Sequence, residues 1–580
     1  MNFNQFLSSE ELKGVFDAKE WDSLNFVLDA FSSSLKIEKT EHVTQNLELL
    51  GQIHQATNLD QYTKKDFRIK LFERLPPTEQ ERFFNYCGIT DKVSKMSFEK
   101  FRKCVNEVVG FEWGNNTLTK QFLLFSNLPD YLIPDETLEI KTQETVTGDG
   151  KNYEKEEFKP LKMLHGYQSS IVYRALDELE EANSHCLIQM PTGTGKTRVA
   201  MELVAYIFNN NPEIRIVWLT KQHELLEQAH DSFIEIWNHV GKFPIELLNM
   251  WTTSSAKISQ LKIPTSRVLV FGTYDILNNS LDKGINLDAD YIVIDEAHQI
   301  LAPTFKLAKD RITNTRVKET RLLGLTATPG RGIDEEQNVR LVSEFHKNIV
   351  KIEFYGFDKE KYKNKPIQYL EDHEILSKTI PVKLHTDFEM DFSPEEWESI
   401  KKSSIKTGTG DKNEFKEKSF KKMANDNVRN ILIIKKLKEY ADAGKKILYF
   451  STDLKQSLFI FTVLQQLGIN AIHVQHGIDR TFRRQIIQKF KDTKEIDIIC
   501  NYGIFSTGFD VPNLDVVFIA RPVNSPVLFN QIAGRGTRGL KMNGTAEHIL
   551  LQVIDKIPPK FADVNPYEQF DFWDDVWIHN

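Results

Sequence analysis

Apolar residues recur along this chain in three different rhythms. Up to about Pro134 they fall three and four residues apart, as in SSEELKGVFDAKEWDSLNFVLDAF and SFEKFRKCVNEVVGF, which predicts amphipathic helices. Ser8 with Glu11 has the spacing of a capping box, Ser97 marks a second helix start, and PPTEQERFF begins another helix after Pro77. From Asp135 to Lys159 the pattern dissolves into polar and charged residues around a Gly-Asp-Gly turn, which reads as a linker with room for a short hairpin. After Pro160 short, nearly continuous apolar runs alternate with helical stretches: CLIQM, IRIVWLT, RVLVFGT, YIVIDEA and RLLGLTA, then KILYFST, NAIHVQH, IDIICNY, VVFIA and HILLQVI. Runs without polar alternation are strands covered on both faces, so two parallel sheets are expected. The resulting map is an α/β chain with an all-α domain (1–134), a linker (135–159), two sheet domains in tandem (160–355 and 431–560), a partly flexible connecting region (356–430) and an acidic-aromatic tail (561–580). The connecting region includes KKSSIKTGTGDKNEFKEKSFKK, a solvated loop or a nucleic-acid contact.

Composition narrows this map only slightly. No charge-poor apolar run is long enough to span a membrane, and the N-terminus lacks the basic and apolar regions of a signal peptide. The four cysteines have no metal-ligand spacing, which argues against a zinc module or a disulfide framework and suits a reducing, cytoplasmic setting. A net charge of −8 gives no global attraction to nucleic acid, so such binding must come from a local groove.

Two stretches carry chemistry. In CLIQMPTGTGKT an apolar run gives way to a Gly-rich turn and then to a helix-forming run. Gly193 and Gly195 allow a tight turn, and the amides of Thr192, Gly193, Thr194 and Gly195 can converge on phosphate oxygens at a helix N-terminus. Lys196 would reach the β- and γ-phosphates of ATP, and the Thr197 hydroxyl would ligate Mg2+. VIDEAH ends a strand with two carboxylates where open α/β sheets bind ligands. Asp295 can hold Mg2+, and Glu296 can orient and deprotonate an attacking water.

With these in order, residues 161–553 resemble a superfamily-two helicase of the DEAH-box type, in the branch of type I and type III restriction-enzyme motor subunits and excision-repair helicases. The resemblance implies two RecA-like domains with ATP and Mg2+ between them. HGYQ resembles the adenine-reading glutamine motif, with Gln168 on the base edge, Tyr167 packing nearby and His165 where arginine is usual. LTKQHELLEQA, with Thr220 and Lys221, and FGTYDIL, with Gly272 and Thr273, resemble strand-contacting motifs. LTATP, with Thr326 and Thr328, resembles the motif coupling hydrolysis to movement, and His298 and Gln531 fall at coupling positions. Ser451 and the segment 475–484 resemble backbone-gripping motifs. STGFD resembles a motif in which Thr507 touches the strand and Gly508 and Asp510 the nucleotide. QIAGRGTR places Arg535 and Arg538 where charge on the γ-phosphate is neutralised, an effect on the order of a thousandfold or more. Carried on the second layer, these arginines complete the site only when the layers close.

Phosphate contacts position without reading sequence, so salt-sensitive, sequence-independent binding is expected. DNA is expected over RNA: DEAD-box RNA helicases usually have His where Gln531 stands and Asp where His298 stands. Between Asp510 and Gln531 there is little room for the strand-separating hairpin of DEAH-type RNA helicases, and little chain follows the second layer. A nucleotide-gated clamp without translocation and an RNA helicase are the alternatives, and a third possibility is the motor of a restriction or phage-defence system whose nuclease is another chain, with DNA repair as a further setting. A protein partner could dock on the N-terminal helices or on the tail.

Overall fold

In the computed structural model the described residues are 16, 18–31, 61–90, 92–126, 132–133, 143–146, 161–180, 185–250, 266–285, 287–313, 320–327, 335–354, 360–362, 365–389, 393, 395, 420–475, 478, 480–504, 511, 513–523 and 526–556. Eight strands form the first sheet: β1 (Gln143–Val146), β2 (Cys186–Gln189), β3 (Arg215–Thr220), β4 (Ile245–Asn249), β5 (Val268–Thr273), β6 (Tyr291–Asp295), β7 (Arg321–Thr326) and β8 (Ile349–Val350). Their spatial order is β1-β4-β5-β3-β6-β7-β2-β8, with every pairing parallel except that of β1 with β4.

The side-chain period of two sorts each strand between two cores. Ile188, Trp218, Phe271 and Val293 face the helices Gly166–Glu180, Lys196–Asn210 and His223–Val240, whereas Leu187, Val217, Val270 and Ile292 face Tyr274–Asp282 and Pro303–Thr313. Trp237 ties one such layer together, with ring centroids 5.6 Å from Phe233 and 6.0 Å from Phe208.

The second sheet has six strands, all parallel: β9 (Lys378–Glu389), β10 (Ile447–Phe450), β11 (Ala471–Val474), β12 (Ile498–Asn501), β13 (Val516–Ile519) and β14 (Glu547–Lys556), in the order β11-β12-β10-β13-β14-β9. Two tandem parallel sheets flanked by helices make the RecA-like arrangement expected from the sequence, with helices before them.

Two stretches behave differently from the expectation. The stretch 135–159, read as a linker, contributes β1 to the edge of the first sheet. The stretch 356–430, read as a connection, contains helix Pro366–Asp372 and the long strand β9. β9 escaped notice because KTIPVKLHTDFE is half polar and contains Pro381; an edge strand tolerates both, since one side of its ladder is unpaired. Residues 401–419 of the Lys-rich run, which extends to Lys422, and the tail 561–580 lie outside the described residues.

The second layer is locked by a fully buried ion pair. Arg429, at the start of helix Asn427–Asp442, donates through Nε to Asp555 Oδ1 at 2.8 Å and through Nη2 to Asp555 Oδ2 at 3.1 Å, and also bonds the carbonyl of Ala520. Asp555 also accepts from the Thr386 hydroxyl at 2.5 Å, so the Arg429–Asp555 pair ties together the ends of β9, β13 and β14.

The N-terminal helices Ala18–Ala30, Lys65–Glu73, Pro77–Tyr86, Phe98–Val108 and Thr117–Ser126 share one continuous apolar core with this second layer. Ser97 caps its helix by accepting from Lys100 N at 3.2 Å. Helix Ala18–Ala30 packs on Asn427–Asp442 and Leu454–Gln466, with Lys455 Nζ 2.7 Å from Glu20 Oε1. Arg68 sits at the centre of the helical unit, its guanidinium 4.5 Å from the Phe111 ring and donating to the carbonyls of Val109 (3.1 Å) and Phe111 (2.6 Å). Among the described residues no helix is long and apolar enough to cross a membrane, and no cluster of side chains has the make-up of an all-protein metal centre. All four cysteines are free thiols, and burial pushes Cys186 up to about 12.

Candidate active site

The phosphate-loop candidate leaves β2 and turns twice through the left-handed region, at Gly193 (φ +85°) and Gly195 (φ +83°), conformations that L side chains resist. Gly195 is the N-cap of helix Lys196–Asn210, so unpaired amides and the positive end of the helix dipole face the loop. The loop is braced from behind. Tyr167 donates its hydroxyl to the Thr194 carbonyl at 2.8 Å, and Gln168 Nε2 donates to the same oxygen at 3.0 Å. Gln168 Oε1 accepts from His165 N at 2.9 Å, and the Thr194 hydroxyl donates to the Pro191 carbonyl at 2.7 Å. Gln168, expected to read a base edge, thus spends one end of its amide on the loop and the other on the start of its own helix while lining the cleft. His165 stacks over Tyr167 with centroids 6.0 Å apart.

The carboxylate pair stands beside the loop because β6 is one strand removed from β2 across β7. Asp295 is buried and accepts from Glu296 N at 3.0 Å. Glu296 adopts φ +55°, a left-handed conformation uncommon for a non-glycine residue and characteristic of functional turns. Burial, reinforced by Glu296, pushes Asp295 up to about 7. Burial acts on Lys196 in the opposite sense, lowering its pKa, while Glu296 and Asp295 raise it. His298 Nδ1 lies 3.4 Å from Glu296 Oε2, and burial lowers its pKa. Thr326, the last residue of β7, accepts through its carbonyl from Met190 N at 3.0 Å, linking the LTATP turn to the start of the phosphate loop.

The second layer closes the other side. Helix Pro526–Ala533, with Gln531 buried in it, runs into Gly534 and the arginine-bearing turn. Gly534 packs directly on Thr192, and the Thr537 hydroxyl donates to the carbonyls of Gly534 (3.0 Å) and Thr192 (3.3 Å). Arg535 Nε donates to the Gln531 carbonyl at 3.1 Å. The result is one cleft of about 650 Å³ that Gly193, Gly195, Lys196, Thr197, Asp295 and Glu296 line from the first layer, and Arg535 and Arg538 from the second. Elements more than three hundred residues apart in sequence thus meet at one place.

The strand-gripping candidates look different. Lys221 is exposed and Gly272 packs on Leu277. The side chains of Thr220, Thr273 and Ser451, expected to face a nucleic-acid backbone, are buried. Thr273 caps helix Tyr274–Asp282 by accepting from Ile276 N at 3.3 Å, and Ser451 donates towards the carbonyls of Asp453 (2.8 Å) and Asn501 (2.9 Å). Strand-end hydroxyls are well suited to such bonds, which is the physical reason the Thr273 and Ser451 side chains turn inward. Thr328, Thr507, Gly508 and Asp510 lie outside the described residues. Sequence reasoning missed Thr537, Glu224 and Asp231, and placed Arg484 only among the backbone-gripping residues. Thr537 was in view within GRGTR, but its partner Thr192 becomes evident only once the layers are brought together.

Comparison with known proteins agrees with the two-layer reading. Residues 161–331 match the model of the type III restriction enzyme res subunit, and residues 426–539 that of the helicase conserved C-terminal domain. The chain is 24% identical to the putative ATP-dependent helicase IRC3 of Saccharomyces cerevisiae over 65% of its own length and 49% of that protein. It is also 24% identical to a 51.5 kDa protein of a Lactococcus phage, over 61% of this chain and 62% of that one. The chain therefore spans about half the length of the yeast relative it matches. Among solved structures, the Hef helicase domain of Pyrococcus furiosus is similar at 17% identity with a TM-score of 0.38, covering 69% of this chain and 98% of that one. Residues 161–331 and 426–539 thus carry, one on each layer, the two domain families that superfamily-two helicases combine.

Proposed function

We propose that this helicase hydrolyses ATP in the cleft between its sheets and uses closure of the two layers to move along nucleic acid, with DNA preferred to RNA. The observation that carries the reading is the convergence of Lys196, Thr197, Asp295 and Glu296 with Arg535 and Arg538 on one cleft. The donor set fits a magnesium–nucleotide complex: a carboxyl held up to about 7 by burial beside a second carboxylate is a place that a divalent cation would relieve. Thr197 and Asp295 would hold Mg2+, which when bound neutralises charge on the β- and γ-phosphates.

The chain's own residues divide the remaining work. The loop amides and Lys196 bind and orient the phosphates. Glu296, fixed by its left-handed backbone at the end of β6, orients water and takes its proton. Arg535 and Arg538 add positive charge from the second layer, so turnover depends on closure. Tyr167 and Gln168 keep the loop in its binding shape. The preference for DNA rests on Gln531 and His298 standing where DEAD-box RNA helicases differ.

The test is steady-state ATPase activity against duplex DNA, single-stranded DNA and RNA. Stimulation by DNA together with ATP-dependent displacement of a third strand is the expected result. Stimulation by RNA alone would reverse the preference, and an active ATPase that displaces nothing would replace the motor with a clamp. Glu296→Gln should retain ATP and nucleic acid while abolishing turnover; normal turnover in that variant would remove Glu296 from the role of base.

A further inference from the structure

Behind the phosphate loop, the same cleft is bordered by two helices of opposite charge. Helix His223–Val240 of the first layer presents Glu224, Asp231 and Glu235 to it, and helix Arg480–Asp492 of the second layer presents Arg483, Arg484 and Lys491. Two ion pairs join them across the cleft. Arg483 Nη1 meets Glu224 Oε1, and Arg484 Nη2 lies 2.7 Å from Asp231 Oδ2. Asp231 is held from its other oxygen as well, with His230 Nδ1 3.1 Å from Oδ1. Arg483 is mostly buried, with 13% of its side chain exposed.

The placement has a mechanical meaning. Glu224 and Asp231 are seven residues apart, two turns or about 10 Å along one face of the helix. Arg483 and Arg484 are neighbours that project about 100° apart around the other helix. Two contacts so arranged fix the rotation of one layer against the other as well as their separation. Their partners in the same cleft are Lys196 on the first layer and Arg535 and Arg538 on the second. A rotation that broke both pairs would therefore move the arginine-bearing turn relative to the phosphate loop.

We infer that Glu224–Arg483 and Asp231–Arg484 are positioning contacts that set the closed arrangement of the layers and so present Arg535 and Arg538 to the nucleotide. This rests on the proposed ATPase reading only for its catalytic consequence; the closure itself is independent of it. The contacts also occupy two arginines that the sequence places with the backbone-gripping residues.

Charge reversal and exchange test the inference. Spin labels at exposed Lys242 and Lys494, one on each layer, with Cys87 replaced by Ser, report interlayer distance; nucleic-acid-free ATPase reports kcat and KM. Asp231→Arg or Arg484→Asp alone places like charges together and should broaden the distance distribution and lower kcat at least about tenfold. The two changes combined restore opposite charges and should recover both readouts. Raising ionic strength from about 0.1 M to about 1 M shortens the Debye length from about 10 Å to about 3 Å and should broaden the wild-type distribution more than that of Asp231→Asn/Arg484→Gln. If either single variant fails to fold by circular dichroism, Glu224→Arg with Arg483→Glu repeats the exchange at the other pair. Unchanged distances in the single reversals, or no recovery in folded double variants, overturns the inference. Distances that respond as described in a wild-type protein without ATPase activity would support the closure contacts and refute the ATPase reading instead.

Discussion

The sharpest test of a cleft completed by two layers is one methyl group at Gly534. A Cβ built there would stand 2.4 Å from Thr192 Cγ2 and 2.5 Å from Thr192 Cβ, both across the cleft, and 2.8 Å from the Asn530 carbonyl within its own layer. Ordinary van der Waals contact begins near 3.4 Å, so Gly534→Ala drives the arginine-bearing turn away from the phosphate loop by close to an ångström. Overpacking of this kind costs about 1–3 kcal/mol. The Thr192 share is relieved by opening the layers, so it falls on the closed state rather than on folding. A penalty of about 1–3 kcal/mol on closure lowers the closed-to-open ratio about 5- to 150-fold. We expect kcat of ATP hydrolysis to fall within that range, while binding of a fluorescent ATP analogue, carried mainly by the first layer, changes little. Thermal unfolding measured in parallel separates the two costs. A kcat within about twofold of wild type, or a loss of stability large enough to account for the whole effect, would refute the reasoning.

Three further outcomes follow from particular contacts. Lys196→Ala should abolish tight ATP binding, since it deletes the ammonium that lines the cleft at the phosphate loop; calorimetric titration with ATP checks it. Arg429→Met should destabilise the protein by about 3–5 kcal/mol because it strands the buried Asp555 carboxylate, whereas Arg429→Met with Asp555→Leu should recover most of the loss in urea unfolding. Burial lowers His548 from its ordinary 6.5 to about 3. The unfolded chain therefore takes up this proton first, and stability is lost as pH falls from about 6.5 towards 3, by up to about 1.4 kcal/mol per pH unit from this group. His548→Gln should flatten that acid limb; superimposable stability–pH curves would show that the ring does not titrate as its burial dictates.

The parallel sheets were legible because strands buried on both faces must be apolar throughout, and YIVID or VVFIA can hardly be anything else. The strands at the margins were not. β1 and β9 lie at sheet edges, where polar residues and Pro381 are tolerated, so their sequences carry the signature of loops. The phosphate-loop and carboxylate candidates were legible for a local reason: a glycine turn and a strand-end acid announce themselves within a few residues. What could not be read was everything that depends on how the layers meet. Thr537 against Thr192, and Arg484 against Asp231, are ordinary residues until the fold brings them together. The strand-end hydroxyls show the converse, since Thr273 and Ser451 look suited to phosphates in sequence and are turned to backbone groups in the structure.

The path of the chain adds a constraint of its own. The N-terminal helices are built into the core of the second layer, the chain then passes to the first sheet at β1, and it returns to the second at β9. Two covalent spans therefore bridge the cleft, and the layers with their spans form a closed ring. Parting the layers is confined by the shorter reach of the two, and reclosure is an intramolecular event at high effective concentration rather than a search. A single proteolytic nick in either span would leave the other intact, giving a protein whose halves stay together but whose cleft recloses more slowly. Anything held by the N-terminal helices would be carried with Arg535 and Arg538, sweeping relative to the first sheet each time the ring flexes.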